Sequence, residues 1–155
     1  MFRQYNETDP LQKVVIGRYR EYARYPAYIE RINEYQKRDL PDVEQLQREF
    51  DGFRRVLEKE GVEVVEPDYV GEFVYDQLTP RDLGVVIGER FLLSNMASAS
   101  RRYEAAGIFR YLKGENNHEP GILIPDHPTQ LMEGGDILLD GDRMYVGISR
   151  RTNQA

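Results

Sequence analysis

Apolar residues between Asp42 and Glu60 fall at Val43, Leu46, Phe50, Phe53 and Leu57, at spacings of three, four, three and four that share one helical stripe. Pro41-Asp42 supplies a helix start, Gln45 follows the aspartate at capping-box distance, and Gly61 supplies a stop. Short apolar runs bracket this helix. Lys13-Val14-Val15-Ile16-Gly17 predicts a buried strand closed by glycine, and Val62-Glu63-Val64-Val65 predicts a second strand ended by Pro67. Between the first strand and the helix, Arg18 to Tyr35 is rich in tyrosine and arginine. Tyr28, Ile32 and Tyr35 give it an apolar face, so it reads as part loop and part helix.

The second half repeats a pattern. Leu83 to Leu93 predicts strand, turn, strand around Gly88-Glu89-Arg90. A helix over Ser100 to Leu112 would bury Ala105, Ile108, Phe109 and Leu112. Lys113 to Pro120 is polar and reads as a loop, and Ile122-Leu123-Ile124 predicts another buried strand. Then Ile137-Leu138-Leu139, Gly141-Asp142-Arg143 and Met144-Tyr145-Val146 repeat the hairpin. Gly88 to Leu93 matches Gly141 to Val146 residue type by residue type. A strand-strand-helix-strand unit of roughly 50 residues is implied, the last one showing only its hairpin. The expected fold is α/β, in a single domain over 1–155.

Composition narrows the function classes. With 155 residues, 40% hydrophobic and 31% charged, the chain has a globular balance. A net charge of -6 argues against a nucleic-acid surface. No apolar run reaches bilayer-spanning length, and MFRQYNETDP lacks a secretory core, so a cytoplasmic protein is expected. There is no cysteine, which excludes disulfides and thiolate-ligated metals within this sequence. No metal or cofactor is expected.

Asp76 and Asp82 flank Gln-Leu-Thr-Pro-Arg just before a predicted strand, where two carboxylates could hold a flat guanidinium. Solvated loop acids, one of them capping a turn, are the alternative. Glu133 precedes Gly134-Gly135-Asp136, and glycines there could set the acid at an unusual angle to orient a histidine or bind substrate. A glycine-rich strand entrance with an exposed glutamate is the plainer reading. Ile137 after Gly-Gly-Asp denies the second acid of a diguanylate cyclase motif. Arg101, Arg102, Arg150 and Arg151 could pair with a carboxylate or simply face solvent. His118 and His127 read as surface or turn residues, and the eleven tyrosines as lining of the core and its rim.

Taken in order, TPRDLGVVIG, SRRYE, LMEGGDILLDG and GISRRTN resemble the guanidino-group modifying enzymes. These are the dimethylargininases, arginine deiminases and amidinotransferases of the pentein α/β-propeller fold. The resemblance runs from the Lys13–Gly17 strand to Thr152. It implies that Asp76 and Asp82 grip a substrate guanidinium, that Arg101 and Arg151 bind its carboxylate, and that Glu133 is the acid of the catalytic group. Arg81 departs from it, standing where some dimethylargininases carry an acid.

What the resemblance requires next is missing. The family's chemistry begins with a cysteine attacking the guanidino carbon, and a histidine then acts as general acid and base. Both lie C-terminal to the EGGD hairpin in the family, whereas His118 and His127 precede Glu133. The expectation is therefore the N-terminal part of a pentein, about two and a half of five units, cut after the hairpin and inactive alone. Exposed sheet edges would then favour a homo-oligomer. An arginine-like ligand or partner binding module without catalysis, or a structural remnant, is the alternative. Hydrolase and amidinotransferase are not distinguished, nor is the particular guanidino substrate.

Overall fold

The computed structural model describes residues 2–20, 42–71, 77–99, 101–114 and 121–154. Among the described residues three small sheets and two helices carry the fold, an α/β arrangement. In the first, β1 (Lys13–Val15) pairs in parallel with β2 (Glu63–Val65), joined through α1 (Val43–Lys59). A parallel pair needs such a crossover, which is why the helix lies between its strands in sequence. The Asp42 carboxylate accepts from the Gln45 backbone N–H at 2.7 Å and caps α1 as the sequence predicts. The reciprocal half of a capping box is not made, because the Gln45 amide donates to Glu49 at 2.7 Å instead. Gly61 follows the helix at φ 79°, a conformation that favours glycine.

Leu46 of α1 packs with Ile16 and the fully buried Tyr19, flanked by Val14, Phe50, Leu57, Val64 and Leu78. Tyr19 stacks on Phe50 at 4.8 Å and donates its hydroxyl to Asp51. Phe53, which the spacing puts on the buried stripe, is 52% exposed, and spacing alone does not account for that.

The second sheet is one complete strand-strand-helix-strand unit. β3 (Gly84–Ile87) and β4 (Arg90–Leu93) form an antiparallel hairpin, α2 (Glu104–Gly114) follows, and β5 (Gly121–Leu123) returns parallel to β4. Alternation lets β3 serve two cores. Val86 faces Leu83, Phe91, Met96, Ile108 and Leu112, while Val85 faces Ile137 and Leu139. Two expectations need correction here. α2 starts at Glu104 rather than Ser100, because residues 101–103 form a turn that sends Arg101 and Arg102 elsewhere. The Ile122–Ile124 run is not a buried strand, since among the described residues β5 pairs with β4 alone, and Leu123 and the following Ile124 are exposed.

The third sheet is the hairpin of β6 (Ile137–Asp140) and β7 (Arg143–Val146). Its turn glycine Gly141 has φ 61° and its counterpart Gly88 has φ 59°, so the repeat seen in the sequence is a repeat of turn geometry. The N-terminal segment ties the two hairpins together. Gln4 exchanges backbone hydrogen bonds with Gly88 at 3.0 and 2.8 Å, and the Tyr5 carbonyl accepts from Gly141 at 3.0 Å. Among the described residues no helix is long and apolar enough to cross a membrane. The expectations on Tyr28, Ile32, Tyr35, Asp76, Ser100 and His118 lie outside the described residues.

Candidate functional site

Two short 3-10 turns, Pro80–Leu83 and Gly134–Asp136, precede β3 and β6 and lie against each other. Glycine is what lets them meet. A Cβ on Gly134 would strike the carbonyl oxygens of Gly84 and Arg81, and one on Gly135 would strike Asp82 Oδ1. Ser94 locks the contact: its hydroxyl donates to the Asp82 carbonyl at 2.5 Å and accepts from Gly134 N–H at 3.2 Å. Asp82 and Glu133 are thereby brought to one place from positions about fifty residues apart.

Arg101 enters from the turn before α2. Its Nη1 donates to Asp82 Oδ2 at 2.7 Å, and its Nη2 donates to the Thr79 hydroxyl at 2.7 Å. Its Nε and Nη2 also form a two-pronged pair with the fully buried Glu104, both bonds at 2.9 Å. Burial opposes the Arg101 charge, yet Glu104 and Asp82 outweigh it and hold the guanidinium pKa above its ordinary value.

Arg151 enters from the segment after β7. Its Nη2 donates to the same Asp82 Oδ2 at 2.8 Å, and its guanidinium pairs with Glu133 Oε2. The hydrogen bond to Glu133 raises its pKa, burial lowers it by less, and Asp82 adds to the rise. Glu133 itself is 2% exposed, with Oε1 accepting from Ala97 N–H at 3.3 Å.

The Ser-Arg-Arg-Thr-Asn segment is laced onto the extended segment leading into the EGGD turn. The Thr152 hydroxyl accepts from Glu133 N–H at 3.1 Å and donates to Asp136 Oδ2 at 2.5 Å. Asn153 N–H donates to the Leu131 carbonyl at 3.0 Å, and the Asn153 side chain accepts from Leu131 N–H at 3.0 Å. These contacts fix the backbone that carries Arg151.

Asp82, Arg101, Glu133 and Arg151 therefore meet, while Asp76 lies outside the described residues. The sequence reading gave the acids and the arginines separate parts of a substrate; here they pair with one another. Arg102 instead holds the Met96 carbonyl at 2.9 Å, and Arg150 is exposed. Arg81 donates to the Ile137 carbonyl at 2.7 Å and pins β6. His127 bonds Thr129 Oγ1 at 2.8 Å within an exposed turn. Glu104, Thr79, Ser94 and Thr152 are site residues that sequence reasoning missed. An acid three residues after Arg101 at a helix start was the available signal for Glu104. Among the described residues no group of three His, Cys, Asp or Glu could hold a metal.

Chemically, three carboxylates face two guanidiniums, and the planar fork of Arg101 meets both oxygens of Glu104. The arrangement holds and orients the guanidinium groups of Arg101 and Arg151. The sequence brings no thiol to it.

Residues 25–155 match the family described as N,N dimethylarginine dimethylhydrolase, eukaryotic. The YkgA protein of Bacillus subtilis (strain 168) is 33% identical over 150 residues, 95% of this chain and 49% of that protein. The chain thus spans about half the length of the curated relative it matches. The amidinotransferase SxtG of the saxitoxin pathway of Microseira wollei superposes with a TM-score of 0.73 at 22% identity, over 97% of this chain and 56% of that one. A mutant dimethylarginine dimethylaminohydrolase from Pseudomonas aeruginosa, complexed with citrulline, superposes with a TM-score of 0.67 at 19% identity, over 92% and 52%. At these identities the two structures show a shared α/β fold.

Proposed function

Because the chain belongs to the N,N-dimethylarginine dimethylhydrolase family, within the guanidino-group modifying pentein superfamily, we propose that it supplies the substrate-gripping part of such an enzyme. The observation that carries this reading is the pairing of one guanidinium, that of Arg151, with both Asp82 and Glu133. Two carboxylates that together hold one guanidinium have the charge and hydrogen-bond acceptors to hold that group of arginine or a derivative.

In this reading Asp82 accepts the N–H groups of a substrate guanidinium and orients the guanidino carbon, and Asp76 is its companion. Glu133 accepts from the same group and stands as the acid of the catalytic set. Arg101 and Arg151 serve the substrate carboxylate, with Arg101 held in place by Glu104. The covalent step of this chemistry uses a thiolate, and the later proton transfers use a histidine. This sequence carries no cysteine, so the chain by itself binds without turning over. Whether the acceptor is water or an amine is a property of the whole enzyme. A complete β3–β4–α2–β5 unit, the β1–α1–β2 crossover and the β6–β7 hairpin support a partial pentein propeller of about two and a half units in one domain.

Calorimetry tests the reading. Arginine should bind at roughly millimolar Kd or tighter, about -4 kcal/mol, and Asp82→Asn should abolish the heat. Arginine, methylated arginines and an amine acceptor should give no citrulline and no transferred amidine with the pure protein. Turnover that Glu133→Gln abolishes would refute the inactive reading. A second reading, a non-catalytic arginine-binding module, is favoured by the missing thiol and shares the binding result; a structural remnant would bind nothing.

Association belongs to the same proposal. β7 has β6 as its only strand neighbour among the described residues, and Leu138, Tyr145, Met144, Val146 and Ile148 are exposed around it. An edge of this kind favours a homo-oligomer. A stable monomer in size-exclusion chromatography with light scattering would contradict it.

A further inference from the structure

Arg101 and Arg151 share one oxygen of Asp82 but are held very differently. Arg101 has 18% of its side chain exposed and is clamped by both oxygens of the buried Glu104. Arg151 has 53% of its side chain exposed, and both groups that hold its guanidinium are the carboxylates expected to take a ligand. Its backbone is fixed by Thr152 and Asn153, whereas its side chain reaches the site on a flexible stem through water-facing space.

We propose that Arg151 is a specificity-determining internal competitor: in the ligand-free protein its guanidinium fills the guanidinium position on Asp82 and Glu133. This rests on the reading of that position as a guanidinium site. An incoming guanidinium replaces Arg151 with no change in the charge of the cluster, so the exchange leaves no carboxylate uncompensated. A group tethered this closely competes at an effective concentration on the order of millimolar. A simple guanidine must overcome that competitor with nothing gained in return. A guanidine bearing a carboxylate gives the displaced Arg151 a new partner and recovers the lost pairing. Arg151 thus selects guanidino acids against plain guanidines, while Arg101, held by Glu104 and Asp82, stays in place.

The test is calorimetry of methylguanidine and of arginine on the wild-type chain, Arg151→Gln and Arg151→Lys. Removing the competitor should tighten methylguanidine binding by about tenfold or more in Arg151→Gln, the scale of one charge-assisted contact. Arginine should gain much less, so the preference for arginine over methylguanidine falls. Arg151→Lys keeps the charge without the planar fork and should lie between, which keeps the test open should the glutamine variant fold poorly. Methylguanidine binding that is unchanged or weaker in both variants overturns the competitor while leaving the guanidinium site intact. Absence of binding of both ligands to all three chains overturns the site and the competitor together.

Discussion

Arg101 and Glu104, three residues apart, meet through two parallel hydrogen bonds of 2.9 Å, Nε to Oε1 and Nη2 to Oε2. Glu104 is wholly buried, so this is an interior ion pair rather than a surface one. Removing one member of such a pair strands a charge in a poorly solvated place, at a cost of about 3–5 kcal/mol. Arg101→Met should therefore lower the urea midpoint by about 1 M or more, given slopes of about 1–3 kcal/mol/M. The double variant Arg101→Met/Glu104→Leu should recover part of that loss, because it strands nothing. Equal midpoints for the two variants would show that Arg101→Met strands no costly charge on Glu104.

The glycines of the EGGD turn make a second prediction, one that separates packing from binding. Gly134→Ala would press a methyl group onto the main-chain oxygens of Gly84 and Arg81, which cannot move without parting the two 3-10 turns. Overpacking of this kind costs about 1–3 kcal/mol. Gly135→Ala meets the Asp82 carboxylate instead, a side chain that can rotate away. Its expected signature is a loss of arginine affinity larger than its loss of stability. Gly141→Ala is the control: nothing surrounds its Cβ, so only its positive φ matters, about 1 kcal/mol, with arginine binding unchanged. Melting curves and calorimetry on the three variants check the ranking.

Those glycines also mark where the sequence stopped being readable. α1 and the two hairpins follow from local rules, apolar spacing for the helix and glycine at positive φ for the turns. The reason for Gly134 lies in Gly84 and Arg81, about fifty residues away, and no local pattern contains it. Asp82, Arg101, Glu133 and Arg151 were legible as a set through the family resemblance, but their pairing with one another was not. Glu104 was missed because an acid in the first turn of a helix ordinarily faces water. The exposure of the Ile122–Ile124 run is not legible because hydrophobicity does not reveal that, among the described residues, β5 has a neighbour on one side only.

Acid stability supplies the last prediction. The Tyr19 hydroxyl donates to Asp51, tying the segment after β1 to α1, and Arg20 Nη2 reaches the same carboxylate oxygen at 3.3 Å. The hydrogen bond from Tyr19 is the main cause that holds the Asp51 pKa below its ordinary 3.8, against a smaller opposing effect of burial, with Arg20 adding to the fall. A carboxyl group with a depressed folded pKa binds protons more readily in the unfolded chain. Its stabilising contribution is complete above the unfolded value and is lost as pH falls through the lower folded value. Asp51→Asn keeps an acceptor for Tyr19 but removes the charge. The variant should melt below wild type at pH 7, and the gap should close progressively as pH drops below about 3.8. Burial and then the Asp51 bond raise the Tyr19 pKa, so the alkaline limb carries the opposite sign. Above pH 10 the wild type should lose stability faster than the variant, because ionised Tyr19 would face a carboxylate. Melting curves between pH 3 and 11 decide it, and a gap that stays constant across that range would show that the Tyr19–Asp51 contact carries no pH-dependent stability.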